Sequence, residues 1–275
     1  MNGFTMTEHR FAFGENWKRY SRKIGAREIA SAKSSLSSAL VDVNLGQASF
    51  LDIGSGSGIF SRAAHELGFF HVVSFDYDND SVEATLAMRE ASGCVSRQWQ
   101  VYQGSVLDNT FMSGLGLYDL VYSWGVLHHT GSMWMAVDNA ARMVKPEGIL
   151  FIALYNDQGW ISKYWYIVKR IYVGIPPFLR PFMLTIFFIY FGLGFFFIDL
   201  IRFRNPFLRH IGDDRGMKFW TDVIDWVGGY PFEVASPEKV VTHLRQEGFS
   251  LVRQKLAGRR HGCNEFIFQR MIFHD

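Results

Sequence analysis

The sequence predicts an α/β fold: a doubly wound, seven-stranded, mostly parallel sheet with an antiparallel terminal hairpin and a helical insertion after strand five. Three observations carry that expectation. Apolar runs alternate with helix-compatible segments from residue 50 to residue 155, a glycine cluster joins the first run to the first helix, and no helix separates the last two runs.

Phe50-Leu51-Asp52-Ile53 reads as the first strand, and residues 59–67 as the helix after the glycines. Residues 72–75 form a second strand that stops at Asp76, after which Asp80 is placed to cap a helix reaching about Ala91. Residues 99–102 and 119–124 give strands three and four. A helix over 132–144 follows, then a fifth strand over 149–155 beyond the Pro146-Glu147-Gly148 turn. Residues 237–246 read as a helix capped by Ser236, followed by strands over 251–255 and 266–269. The ten residues between those strands are too few for a helical crossover, so the last strand is expected to run antiparallel.

Composition narrows the class. The chain has 275 residues, 48% apolar, 16% aromatic and 20% charged, with net charge +2. Neither a disordered tail nor a phosphate-coating basic protein has that balance. Cys94 and Cys263 lie far apart and imply no disulfide framework, so a reducing compartment is expected. Residues 1–10 contain Glu8, His9 and Arg10 and no apolar core, so they do not read as a secretory signal; the expected location is the cytoplasm.

The chemistry centres on Gly54-Ser55-Gly56-Ser57-Gly58, three alternate glycines between a strand and a helix. Glycines let backbone approach a ligand, and a helix start offers free N–H groups to an anion. A nicotinamide fingerprint would need glycine where Ile59 stands, so a dinucleotide is disfavoured.

With these residues the chain resembles the class I S-adenosylmethionine-dependent methyltransferases, over about residues 50–157 and again in the terminal strands. The resemblance implies S-adenosyl-L-methionine as cofactor. Gly54, Gly56 and Gly58 then match the loop at its methionine end, and Asp52 the acid facing its α-amino group. Asp76 matches the acid that takes the two ribose hydroxyls, and Tyr77 is placed to pack on the adenine. Ser105 stands where many relatives have an acid, which passes adenine recognition to Val106 or Asp108; Trp124 lies at the exit of strand four beside the cofactor. That exit also holds the tandem His128 and His129, where family members keep catalytic groups. His129 is the preferred general base, because a neutral imidazole with pKa near about 6.5 accepts a proton from a hydroxyl. No metal is expected: adjacent histidines point apart, and His261 with Cys263 is too sparse a set for zinc.

The chain thus divides into a helical cap (1–49), a Rossmann-like cofactor-binding core (50–155), an apolar helical insertion (156–235), and a helix with a strand hairpin completing the core (236–275). The insertion leaves from the carboxyl end of strand five, where α/β sheets bind ligands. Tyr155, Asn156, Trp220, Tyr230 and Glu233 are therefore candidate acceptor contacts, whereas Arg259, Arg260 and His261 read as solvated hairpin residues. No charge occurs over 181–198; Arg180, Arg202, Arg204 and Arg209 flank that run, and Trp160, Tyr164, Trp165 and Tyr166 precede it. A lid or homodimer contact through 176–205, a peripheral element at the inner face of a membrane, and a span all fit this composition. Pro181 at its start and Gly192 and Gly194 in its middle speak against a simple span, as does the return of the chain to the same sheet.

Direct transfer from a sulfonium needs chiefly alignment, and a base at His129 serves an acceptor that must lose a proton, so O-methylation of a small hydrophobic or aromatic molecule is the expected activity. Methylation at carbon or nitrogen, a protein acceptor and a non-catalytic cofactor-binding scaffold are the alternatives. Nucleic acid is not an expected partner, because Ser123-Trp124-Gly125-Val126 replaces the Pro-Pro-aromatic motif of base-flipping methyltransferases.

Overall fold

A computed structural model describes residues 11, 13–21, 24–40, 45–94, 96–201, 219–258 and 262–272. They form two compact units. One comprises the described residues of Phe13–Gln158 and Glu233–Asp275, the other those of Gly159–Phe232 together with Phe11.

The first unit is built on a seven-stranded sheet of β1 (Ser49–Ile53), β2 (His71–Asp76), β3 (Trp99–Gln103), β4 (Tyr118–Trp124), β5 (Val144–Tyr155), β6 (Phe249–Lys255) and β7 (Cys263–Arg270). Their order is β3-β2-β1-β4-β5-β7-β6; β1 to β5 pair in parallel, and β7 is antiparallel to both β5 and β6. Side chains alternate between sheet faces with a period of two. Leu51, Ile53, Val73, Phe75 and Val121 therefore share one core with residues of α5 (Asn109–Leu115), α6 (Met133–Arg142) and α10 (Pro237–Gln246). Phe50, Val72, Leu120, Tyr122 and Phe151 share the other with residues of α2 (Ala26–Ser37), α3 (Ile59–Leu67) and α4 (Asn79–Ala91). Each fully buried Leu or Phe contributes about 1.5–3 kcal/mol. The strands are thus sandwiched, which is what their near-continuous apolar runs require.

Three expected details change. The cap of α4 is Asp78, not Asp80: its Oδ1 accepts the Asp80 N–H at 2.9 Å. The helix starts two residues earlier because Asp78 leads straight out of the strand end at Asp76. Strand five begins at Val144, since Tyr118 pairs with Val144 and Leu120 with Ile149, so the Pro146-Glu147-Gly148 turn is absorbed as an irregularity within the ladder. Glu147 takes a left-handed φ of 62° there. The helix before it, α6, accordingly stops at Arg142. α5 has no counterpart in the sequence reading; it is seven residues long and carries Gly114, and Asp108 caps it.

The second unit contains α7 (Trp160–Gly174), α8 (Arg180–Ile201) and α9 (Phe219–Gly228). Trp165 is its hub, with ring centroids 5.6 Å from Phe187, 5.8 Å from Phe191 and 5.4 Å from Trp226. Buried Lys169 donates to the Trp226 carbonyl and lies over the Trp226 and Phe232 rings, a cation at the C-terminal end of α9. Gly192 and Gly194 do not interrupt α8, which runs through both. A helical glycine costs only about 1 kcal/mol, and the surrounding Phe, Ile and Leu residues support a continuous helix.

Candidate functional site

The glycine turn leaves the carboxyl end of β1 beside those of β2 and β4, in the first unit. Gly54 has φ +76°, and its N–H and that of Ser55 both donate to the Phe75 carbonyl, at 2.9 and 3.1 Å. A Cβ on Gly54 would lie 2.4 Å from Val126. Gly56 has φ +55° and donates its N–H to Asp76 Oδ2 at 3.0 Å. Gly58 then directly precedes α3. The other Asp76 oxygen accepts the Asp78 N–H at 2.9 Å. With two lone pairs on each oxygen, the carboxylate keeps further acceptor capacity beyond these amides.

Asp52 lies beneath this turn, 2% exposed. Its Oδ2 accepts the Ser61 hydroxyl at 2.5 Å, Ser61 accepts that of Ser74 at 2.6 Å, and Ser74 accepts the Trp99 indole N–H at 2.8 Å. A buried relay therefore links β3, β2, α3 and β1 under the loop. Burial pushes the Asp52 carboxyl up to about 7, opposed by the Ser61 hydrogen bond and reinforced by the charge of Asp76. Burial likewise lifts Asp76 to about 6 against the amides of Asp78 and Gly56.

The remaining expected cofactor residues differ in setting. Tyr77 is 63% exposed, and its carbonyl accepts from Gln103 Nε2. Ser105 Oγ accepts the Leu107 N–H at 3.2 Å. Val106 is buried, its carbonyl taken by Asn139 Nδ2 at 2.8 Å. Asp108 Oδ1 is engaged with the first amides of α5. Trp124 ends β4 opposite Ala153, half-buried against the second of the two cores.

Beyond β4 a 3-10 turn, Leu127–His129, carries the histidines. His128 is buried with its ring 3.9 Å from that of Tyr155; His129 is half-buried, 4.5 Å from His128 and 4.9 Å from Phe13. Glu233 clamps the same turn. Its N–H donates to the His128 carbonyl at 3.0 Å, and its Oε2 accepts the Met133 N–H at 2.9 Å. Asn156 donates to the Gly258 carbonyl and accepts from Asn264, which ties the end of β5 to the β6–β7 hairpin. Tyr155 and Glu233 thus meet the histidines, whereas the Asn156 side chain is taken up by the hairpin. Tyr230 belongs to the second unit, where its carbonyl accepts the Phe11 N–H and its ring lies 6.0 Å from Tyr166. The Trp220 side chain, Arg202, Arg204, Arg209, Arg259, Arg260 and His261 lie outside the described residues.

Sequence reasoning placed no site residue in α1 (Gly14–Ser21), yet this helix covers the glycine turn. The Trp17 ring would meet a Cβ on Gly56 at 3.1 Å, Gly14 donates its N–H to Asp78 Oδ2, and Lys18 pairs with Asp80 and Glu83 at 3.1 and 2.6 Å. The one signal in the sequence is the pair Trp17 and Tyr20 in an otherwise polar segment.

Residues 19–180, more than half of the chain, match the family described as Methyltransferase domain. A Ubiquinone biosynthesis O-methyltransferase of Caulobacter vibrioides is 26% identical over 106 residues, 38% of this chain and 40% of that protein. The chain thus matches about two fifths of that curated relative's length. Magnesium protoporphyrin IX methyltransferase of Synechocystis PCC 6803, crystallised with bound SAH, has the same fold at TM-score 0.56 and 14% identity over 94% of both chains. PKMT2 of Rickettsia typhi, in complex with AdoHcy, matches at TM-score 0.57 and 12% identity over 90% of this chain and 53% of that one.

Proposed function

The chain belongs to the methyltransferase-domain family and has the class I fold, and from that premise we propose that it methylates an oxygen of a small hydrophobic or aromatic molecule in the cytoplasm. S-adenosyl-L-methionine supplies an electrophilic methyl group on a sulfonium that leaves as a neutral thioether. The residues of the glycine turn fit that cofactor. Gly54 and Gly56 present left-handed backbone without side chains, and Asp76 offers two oxygens with free lone pairs to a vicinal diol. The hydrogen bond between Gly56 and Asp76 is the single observation that carries the reading, because it binds the turn and the acid into one cradle.

Asp52 acts from below the turn. Its buried carboxylate, oriented by Ser61, favours a cation on the loop and holds α3 against β1. His129 takes the acceptor's proton as general base, a contribution of about 10²–10⁴-fold. His128, buried against Tyr155, positions it. Alignment of the acceptor is worth up to about 7–11 kcal/mol, and Tyr155 with the Glu233-clamped turn supplies one wall for it. Peripheral membrane contact through 176–205 belongs to the same reading, since α8 displays apolar side chains outward.

Calorimetric titration with S-adenosylhomocysteine tests the cofactor. We expect binding by wild type and a loss of at least about tenfold in Asp76→Ala; absence of heat for wild type overturns the proposal. A panel of phenols with methyl-labelled cofactor then tests the acceptor class, with His129→Ala expected to lose turnover while keeping product affinity.

A further inference from the structure

We infer that the outer faces of α7 and α8 dock onto an anionic lipid leaflet, an inference that rests on the peripheral-membrane part of the function proposed above. The stretch Pro177–Gly194 is long and apolar enough to cross a bilayer, yet only 6% of it is buried. A core helix of that composition would be covered. Here one face, with Phe187 and Phe191, packs on Trp165, while Phe182, Ile186, Ile189, Tyr190 and Leu193 stand 53–72% exposed. Their spacing of four, three, one and three residues places them on a single side of the helix. α7 adds Ile167 and Ile171, at least half exposed, and Phe178 in the following turn is 77% exposed. Soluble proteins rarely leave so much apolar surface in one place.

Charge selects the occupant. Residues 159–198 contain Lys163, Lys169, Arg170 and Arg180 and no aspartate or glutamate. Lys169 is buried, but Lys163 and Arg170 are exposed among the apolar residues of α7. A second copy would bring the same cations with no carboxylate to meet them. Phosphate headgroups meet them directly, and the aromatic Trp160, Tyr164 and Tyr190 suit the depth at which headgroups give way to acyl chains.

The sheet topology favours lying on the bilayer over crossing it. β7 pairs with β5 from Ile149↔Gln269 to Tyr155↔Cys263, so the chain before α7 and after α9 is on one side. A return crossing would need a second long apolar helix, whereas among the described residues a single helix is long and apolar enough, and α9 has ten residues including Asp222 and Asp225.

Flotation of the full-length chain with phosphatidylcholine vesicles, with and without about 30% phosphatidylglycerol, tests the surface. Wild type is expected to float with the anionic vesicles and to be released as salt rises. The double variant Ile186→Glu, Ile189→Glu should lose flotation, and Lys163→Glu, Arg170→Glu should weaken it at least about tenfold. These exposed substitutions should leave S-adenosylhomocysteine binding intact, which separates failure of this inference from failure of the methyltransferase reading. Wild type that stays unbound with both vesicle types, or a double variant that floats equally well, overturns it. So does a concentration-dependent dimer in sedimentation that the same variants abolish without any flotation, because that assigns the face to a second copy.

Discussion

Glu233 accepts the Met133 N–H at 2.9 Å, one hundred residues away, and so supplies an anion to the N-terminus of α6 while its own N–H holds the His128 carbonyl. One residue therefore ties the turn that bears His129 to the start of α6. Glu233→Ala should cost about 1–2 kcal/mol in denaturant unfolding, as losing a cap does, and should lower kcat more than it changes cofactor affinity. Glu233→Gln keeps an acceptor oxygen and should recover most of both; a Gln variant as impaired as Ala would refute the clamp.

The carboxylates of buried Asp52 and half-buried Asp76 make the protein sensitive to pH. Their folded-state values, about 7 for Asp52 and about 6 for Asp76, lie above the unfolded value of about 3.9. Raised values mean the folded state binds protons more tightly. Their penalty is absent below about pH 4, grows as pH rises through 6 and 7, and is constant above. Unfolding of wild type should therefore become easier between about pH 4.5 and 7.5, with a flatter dependence in Asp52→Asn. A cationic cofactor favours the ionised forms, so its binding should strengthen over the same range and release protons. Calorimetry in two buffers of different ionisation enthalpy measures that release.

Gly54→Ala combines two costs. A non-glycine residue at φ +76° costs about 1–2 kcal/mol, and its Cβ would sit 2.4 Å from Val126. A total of about 2–4 kcal/mol is expected in chemical denaturation. Adding Val126→Ala should relieve only the steric share, leaving the backbone share in place.

Trp17 packs on Gly56 through a helix that Lys18 ties to α4. Trp17→Ala should weaken S-adenosylhomocysteine binding by about tenfold, read by calorimetry, whereas Trp17→Phe should retain most of it. Lys18→Ala removes only exposed ion pairs and should leave the denaturation midpoint nearly unchanged.

Much of the molecule was legible along the chain. Apolar runs, the glycine turn at 54–58 and the acid at 76 are local patterns, and local patterns report strands, turns and helix starts wherever burial is nearly complete. The short interval between β6 and β7 likewise foretold an antiparallel pair. Less was legible where two local choices were nearly equal. Asp78 and Asp80 are both competent caps, and only the path out of β2 selects the first. Pro146-Glu147-Gly148 has turn chemistry, yet pairing with β4 holds it inside a ladder.

The residue types and spacing by themselves determined the α/β class, the position of the glycine turn and the presence of an apolar helix, because hydrophobic periodicity and glycine conformations depend on neighbours a few residues away. Only tertiary structure decided that Asp52 sits beneath the loop on Ser61, that Glu233 caps α6, that Trp17 covers Gly56 and that α8 leaves one face uncovered. Those relationships join most of the partners across tens of residues, and which partners meet is set by how the elements pack, a property that no short stretch of sequence contains.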